Sequence, residues 1–452
     1  QQVDGLSNIE LAFRADEIQT LFENNYHTSL SISAAQALEK ESEGWITGLQ
    51  LSNLTAHQEI TDFQRDKRIS GIGLFEYFGH QILNQQQKEL RDFLLSSSFL
   101  DEFNAELCET VLSGFTPETQ DWPTLINSVL QKNLFAIPVG TGEQWIRYHH
   151  LFQDFLQTVL RKEQPELADT ILYRLAEVHA EHGDWEKAYH VYLQMEDFKA
   201  LGELVEKAGS SLLQNGRLLT LKSWLDNIPV MLRQSQPGLL SLQGAVFCVT
   251  GSLTQGLALL GEAEASYRAT GNIPGLARTL VRRTTAYQYS GNYTASLADA
   301  EEAIILTSDL KAFSDINIDA QRSKGLSLFH LGQGNQAVEW LEKSLEGYIE
   351  LGRTANIPVV LMELGMVYEQ SLGNFQSAQE AYKKAFDIGQ TTGNSAWMAT
   401  LLNNMGVLYH LQAKYEEAIE AFEKGLSYAR ESGHIRKEAL LLTSLGDLYV
   451  DI

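Results

Sequence analysis

Cysteine is nearly absent from this sequence: Cys108 and Cys248 are the only two in 452 residues. Two thiols cannot make a disulfide framework, so a reducing compartment and a cytoplasmic chain are the simplest reading. Long apolar runs are missing as well. Stretches such as LLLTSL and LFAIP fall far short of a membrane span, and no signal peptide opens the sequence. Basic residues are scarce, with 34 Lys and Arg against 58 Asp and Glu and a net charge of −24. That balance argues against nonspecific binding to nucleic acid or to an anionic membrane, since neutralising phosphates takes clustered cations. No G-x-x-x-x-G-K-[ST] occurs, and Gly71-Ile-Gly73 is too short to substitute for that phosphate-cradling loop. No G-x-S-x-G elbow or other assembled catalytic signature is present either, so the chain is expected not to be an enzyme.

What remains is ordinary globular material, 44% hydrophobic and 20% charged. A chain of this length calls for two to four domains, because single cores stop growing near about 250–300 residues. The sequence opens at Gln1 rather than Met and ends within LLTSLGDLYVDI, which reads as the first helix of a further repeat. A fragment of a longer protein is the expectation.

From about residue 170 onward one pattern recurs. A small residue is followed two positions later by an aromatic, Leu or Gly, and five positions later by a small or apolar residue. The pattern begins at Gly183, Gly216, Gly251, Gly291, Gly332, Gly373 and Ala413, at spacings of 33, 35, 40, 41, 41 and 40. A second set, Gly271, Gly352, Gly393 and Gly433, runs in step. The small residue ends one helix in a tight turn, and the ring or Leu and the small residue after it face inward on the next. Each hairpin leaves an apolar face that only its neighbour can cover, so the units stack as a superhelix of tetratricopeptide type. Further small residues recur before the turn in Leu364-Gly365, Met405-Gly406 and Leu445-Gly446.

The first 160 residues read differently. Ala15 to Asn25 and Ser33 to Leu54 are amphipathic helices, with Asp16 or Ser31 as candidate caps. FEYFGHQIL, KELRDFLLSSSFL, NAELCETVL and DWPTLINSVLQKN are short helices; LFAIPV and EQWIRYHH are strands around a turn at Gly140-Thr-Gly142. Short helices followed by a β-hairpin outline a winged helix. Its candidate recognition helix, DWPTLINSVLQKN, holds one Lys and no Arg, which fits a structural or switching wing better than DNA reading. The fold class is therefore mainly α, a winged-helix domain with a small β-hairpin followed by a tetratricopeptide-repeat superhelix.

Several ordered motifs carry a resemblance. Glu10-Leu-Ala-Phe13, Glu43-Gly-Trp45-Ile-Thr-Gly48-Leu-Gln-Leu51, Phe75-Glu-Tyr77, Arg91-Asp-Phe93 and Arg147-Tyr148-His149-His150-Leu151-Phe152 stand in sequence. With them the chain resembles the central region of MalT-type ATP-dependent regulators, bacterial signal-transduction ATPases with numerous domains. The resemblance implies that residues 1–66 are the helical tail of a nucleotide-binding module, 67–160 its winged helix, and 161–452 a sensor superhelix. It implies an inducer or partner in the superhelix, ATP and ADP in the parent protein but no cofactor in this fragment, and self-association of the full-length protein. It also implies a C-terminal effector, often DNA-binding. His149 falls where family members touch the β-phosphate of ADP; His149 or His150 reads equally as a cap of the wing or a partner of Glu143 or Asp154. A protein-recruiting scaffold and a regulator with a catalytic effector are the rival readings.

Counting back from each turn places Arg278, Arg282, Gln288, Tyr289, Asp319, Arg322, Phe329 and His330 on the groove side of the first helices. Glu363, Glu369, Asn403, Asn404 and His410 extend the row. Planar donors beside aromatic rings suit a polar ligand such as a sugar or peptide, while the plainer reading is ion pairing between adjacent helices. His179 and His182, one turn apart, are a weak metal candidate at the edge of a turn, and Glu301-Glu302 and Glu416-Glu417 read as solvated helix faces.

Overall fold

The computed structural model describes residues 13–26, 29–42, 82–115, 121–139, 145–214, 216–390, 395–431 and 435–452. The EGW motif, Phe75-Glu-Tyr77, the Gly140-Thr-Gly142 turn, Gly393 and Gly433 lie outside them. The chain divides into two compact units, Gln1–Leu204 and Val205–Ile452.

In the first unit, α1 (Ala15–Tyr26) and α2 (Ile32–Ser42) share a small core of Ile18, Phe22 and Ala35. Ser31 caps α2, its hydroxyl accepting from the Ala34 amide at 3.2 Å, whereas Asp16 sits inside the first turn of α1. The winged helix follows as α3 (Lys88–Ser97), α4 (Ala105–Leu112), α5 (Trp122–Gln131), β1 (Ala136–Val139), β2 (Trp145–Tyr148) and α6 (His150–Glu163). Asn104 and Asp121 cap α4 and α5 through their side-chain oxygens. The strands pair antiparallel, Ala136 with Tyr148 and Val139 with Trp145, and Phe103 adds a one-residue bridge to Ile146.

An aromatic cluster holds these elements together. Phe103 packs on Tyr148 at 5.2 Å and Phe135 on Phe152 at 5.2 Å, with Phe93 and Trp122 behind them. The buried Tyr148 hydroxyl is satisfied by Ser97 at 2.7 Å. This core does not stop at residue 160. Helix α7 (Pro165–Glu181) adds Ala168, Ile171, Leu172 and Leu175 to it, and Arg174 lies 4.2 Å over the Phe115 ring. Helices on both sides of residue 160 therefore share one core. The helix expected for recognition, α5, buries Trp122, Leu125, Ile126 and Val129. Helix α8 (Trp185–Gln194) completes a hairpin with α7.

The second unit is a series of helical hairpins. Helix α9 (Phe198–Gln214) enters it, followed by α10 (Leu218–Asn227), α11 (Val230–Ser235), α12 (Pro237–Val249), α13 (Leu253–Thr270), α14 (Ile273–Tyr289) and α15 (Tyr293–Thr307). Next come α16 (Ser314–His330), α17 (Gly334–Glu350), α18 (Ile357–Met366, continued by a π turn to Ser371), α19 (Phe375–Gly389), α20 (Ser395–Leu411), α21 (Tyr415–Glu431) and α22 (Ile435–Asp451). First helices lie against first helices, α12 on α14, α14 on α16 and α20 on α22, so they form a continuous layer of their own.

The turn rule read from the sequence holds at each of the seven turns that begin the recurring pattern. Gly183, Gly216, Gly251, Gly291, Gly332 and Gly373 have φ between 61° and 100°, and Ala413 takes φ 55° in their place. The inner small residues act as the pattern requires. A Cβ on Gly406 would stand 2.5 Å from the Phe422 ring, and one on Gly365 would stand 2.4 Å from Tyr382. Rings on the second helices thus seat directly against first-helix backbone.

Candidate functional site

The first helices carry polar side chains at repeat spacing, and most are taken up by neighbouring helices of the same or the next hairpin. Arg322 on α16 donates from Nε to Glu363 Oε2 on α18 at 2.8 Å, and its Nη2 bonds the other oxygen. Burial works to lower the Arg322 pKa, but the adjacent Glu363 charge outweighs it and holds the guanidinium firmly protonated. Asp319 accepts from the Tyr348 hydroxyl at 2.5 Å, and burial raises its carboxyl above the usual range. Gln288 reaches Ser296 at 3.4 Å. His410 lies 2.8 Å from Asp451.

Three residues expected on the open groove side are buried instead. Glu363 is held by Arg322, Glu369 accepts from the Tyr382 hydroxyl at 2.9 Å, and Asn403 accepts from Ser444 at 2.9 Å. Neighbouring helices come close enough here for polar groups to pair with each other, which is the plainer of the two sequence readings. Phe329 packs into the core of α16, α17 and α18. Asn404 is half-buried. Tyr289 stays exposed, and the exposed His330 stacks on Tyr293 at 4.3 Å.

Arg278 and Arg282 differ from the rest. They line a cavity of about 220 Å³ together with Glu206, Gly238, Tyr267, Asn272, Pro274 and Gly275. Arg282 donates to the hydroxyls of Ser241 at 3.0 Å and Ser210 at 3.1 Å, and Glu206 on the same wall is the acid whose charge reaches it. Burial, with the Arg278 charge beside it, pulls the Arg282 pKa down to about 10. Arg278 bonds Ser210 at 3.3 Å and makes a long pair with Asp315 at 3.4 Å, an acid shared with Arg353 at 3.3 Å. Tyr267 and Asn272 belong to α13 and to the turn after it, so a search along first helices alone passes over them. Gly271, the C-cap of α13 at φ 67°, is the sequence signal that marks their place.

His149 is buried and caps α6, its Nδ1 accepting from the Leu151 amide at 3.3 Å. Its ring stacks on His150 at 4.6 Å, and its own amide donates to Phe135 at 2.7 Å. His149 thus caps the helix that follows the wing. Elsewhere, His182 bonds the Val178 carbonyl and His179 lies 3.9 Å from Asp184; Glu301 and Glu302 pair with Lys324 and Arg268.

Known proteins resemble both units. Residues 79–168 match the MalT winged helix domain, and residues 318–391 and 356–431 match the tetratricopeptide repeat. The HTH-type transcriptional regulator MalT of Vibrio campbellii is 24% identical over 349 residues, 75% of this chain and 37% of that protein. Its namesake from Yersinia pestis is 29% identical over 242 residues, 52% of this chain and 26% of that protein. The matched region thus spans only 26–37% of the length of these regulators. Among solved structures, a signal transduction ATPase with numerous domains carrying a tetratricopeptide repeat sensor, from Pyrococcus horikoshii, matches with a TM-score of 0.63 at 15% identity. That match covers 97% of this chain and 63% of the other, and it shows the shared fold. Among the described residues, no helix is long and apolar enough to cross a membrane.

Proposed function

Starting from a MalT-like protein in which a MalT winged helix precedes tetratricopeptide repeats, we propose that this chain is the sensing region of a transcriptional regulator. An inducer, either a small molecule or a peptide, binds on the layer of first helices in the second unit. Its occupancy is relayed to the nucleotide state and self-association of the parent protein, and through them to a DNA-binding effector. The division into a helical tail at 1–66, a winged helix at 67–160 and a sensor at 161–452 belongs to this proposal.

The observation that carries the reading is the Arg278–Arg282 cavity. Polar groups elsewhere along the first helices are largely satisfied by neighbouring helices, whereas here two guanidinium groups, a phenol and an amide converge on open space. Convergent polar groups in a concavity are what a ligand site requires. Neutral-sugar, amino-acid, nucleotide and peptide ligands are all admitted at this level.

His149 is our candidate for reporting nucleotide state. It caps the helix that follows the wing, with Nδ1 accepting from the Leu151 amide. ADP or ATP would be held by a module outside this chain's motifs, and this chain would supply His149 beside the phosphate.

A thermal-shift screen of the chain against sugars, nucleotides, amino acids and short peptides tests the sensor reading. Ligand at a hundred times Kd should stabilise by about 2.7 kcal/mol. A shift abolished by Arg278→Ala with Arg282→Ala supports it. No shift with any class would overturn inducer sensing and move the groove to a protein partner.

A further inference from the structure

We infer that the Arg282 cavity takes an anionic group of the ligand, a carboxylate or a phosphate ester, so that the inducer is a small organic anion. This rests on the sensor reading above and deepens it.

The argument begins with the repeat register. Ser241, Arg282, Arg322, Glu363 and Asn404 occupy one column of the first-helix layer, at intervals of 41, 40, 41 and 41 residues. Two cations and one anion stand in that column. Glu363 is committed to Arg322 through a two-point pair. Arg282 has Arg322 on one side in the column and Ser241 on the other, and its partners are hydroxyls. A half-buried guanidinium whose hydrogen bonds go only to hydroxyls, with Arg278 beside it and Glu206 as the acid whose charge reaches it, is a charge with little compensation.

The walls around it add donors rather than acceptors. Burial pushes the Tyr267 phenol up to about 12, so it stays protonated, and its hydroxyl has no protein partner among the described residues. Asn272 spends its carbonyl oxygen on the Gly275 amide at 2.9 Å, which leaves its NH2 as the group it can offer. Glu206 is the one acid on the wall, and its carboxylate lies against the first turn of α12, within 2.3 Å of where a Gly238 Cβ would stand. At about 220 Å³ the cavity is below the usual range of about 300–1,000 Å³ for a whole ligand site. It fits one charged end of a molecule whose remainder lies along the groove. The chain's net charge of −24 repels anions at long range, so binding here depends on these local donors.

Isothermal titration calorimetry of the chain with inorganic phosphate, glucose 6-phosphate and glutamate, with glucose as the neutral control, tests the proposal. At least one anion should bind, weakening with salt, and which of glucose 6-phosphate and glutamate binds tighter separates phosphate from carboxylate. Arg282→Gln should weaken that binding about tenfold or more. Glu206→Gln should tighten it, and this second variant keeps the test alive where the first fails to fold. Binding of glucose with none of the anions overturns the anion proposal and leaves the sensor reading standing. Anion binding indifferent to both substitutions overturns it too, by placing the anion elsewhere. Binding of none of these probes, nor of any peptide, would take down both readings.

Discussion

Arg322 and Glu363 grip each other through a two-point ion pair between neighbouring first helices, while Arg282, forty residues before Arg322 in the same column, meets only hydroxyls. The two arginines therefore differ in what they do for the empty protein. Removing Arg322 strands the buried Glu363 carboxylate, and Arg322→Met should cost about 2–3 kcal/mol, below the full value for a wholly dry pair because Arg322 is partly wet. Arg282→Met removes a charge held by no ion pair, its hydrogen bonds going to hydroxyls, and should leave stability unchanged or slightly higher. Urea denaturation of the two variants side by side checks this. Equal losses would mean that Arg282 is structural after all.

Ala413 offers a test of the turn geometry. It takes the left-handed conformation, φ 55°, that glycine fills at the equivalent turns. A Cβ costs about 1–2 kcal/mol there, against about 0.5–1 kcal/mol of extra chain entropy lost by glycine. Ala413→Gly should therefore raise stability by about 0.5 kcal/mol, and the reverse change Gly332→Ala should lower it by about 1 kcal/mol. Opposite signs in thermal melts are the expected outcome.

Those turns explain why so much of the second unit could be read directly. The sequence encodes a backbone conformation at Gly183, Gly291 or Gly373, and local geometry of that kind needs no knowledge of distant contacts. The same holds for β1 and β2, whose strand and turn signals are contiguous. Shared surfaces are not encoded in this way. That α7 completes the winged-helix core depends on where Leu172 and Leu175 dock, and the apolar period of α7 suits a repeat helix equally well. The site divides along the same line. Arg278 and Arg282 were found by register, but Glu363, Glu369 and Asn403 have the same register and point to partners on adjacent helices. Tyr267 and Asn272 enter the cavity from a second helix and its turn, which only the packed structure brings there.

Glu369 gives a pH dependence with a definite sign. It is buried, it accepts a hydrogen bond from the Tyr382 hydroxyl, and burial raises its carboxyl above the ordinary glutamate range. A carboxyl with a raised folded pKa contributes most below its unfolded value, and that contribution is lost as pH rises through the folded one. Glu369→Gln keeps the shape and an acceptor for Tyr382 while removing the titration. The variant should be more stable than the parent at neutral pH, and the difference should disappear as pH falls below the ordinary glutamate range. Melting temperatures compared at pH 7 and pH 4 report it; a gap that widens in acid would contradict the assignment.

Gly406 and Gly446 stand forty residues apart in the same place on α20 and α22, and they should respond oppositely to one methyl group. A Cβ at Gly406 would meet the Phe422 ring at 2.5 Å, and Phe422 is buried among Ala418, Leu426 and Leu441, so the ring has little room to retreat. Overpacking of that kind costs about 1–3 kcal/mol, more than the gain from replacing a mid-helix glycine. At Gly446 nothing lies within 4 Å of the same methyl, and the helical preference acts alone. Gly406→Ala should then destabilise the chain by about 1–2 kcal/mol, while Gly446→Ala should stabilise it by about 0.5–1 kcal/mol. Both are measurable by urea denaturation of single variants. Matching losses at the two positions would mean that α22 is packed on that face as α20 is, and that the ring-against-glycine contact is made there too.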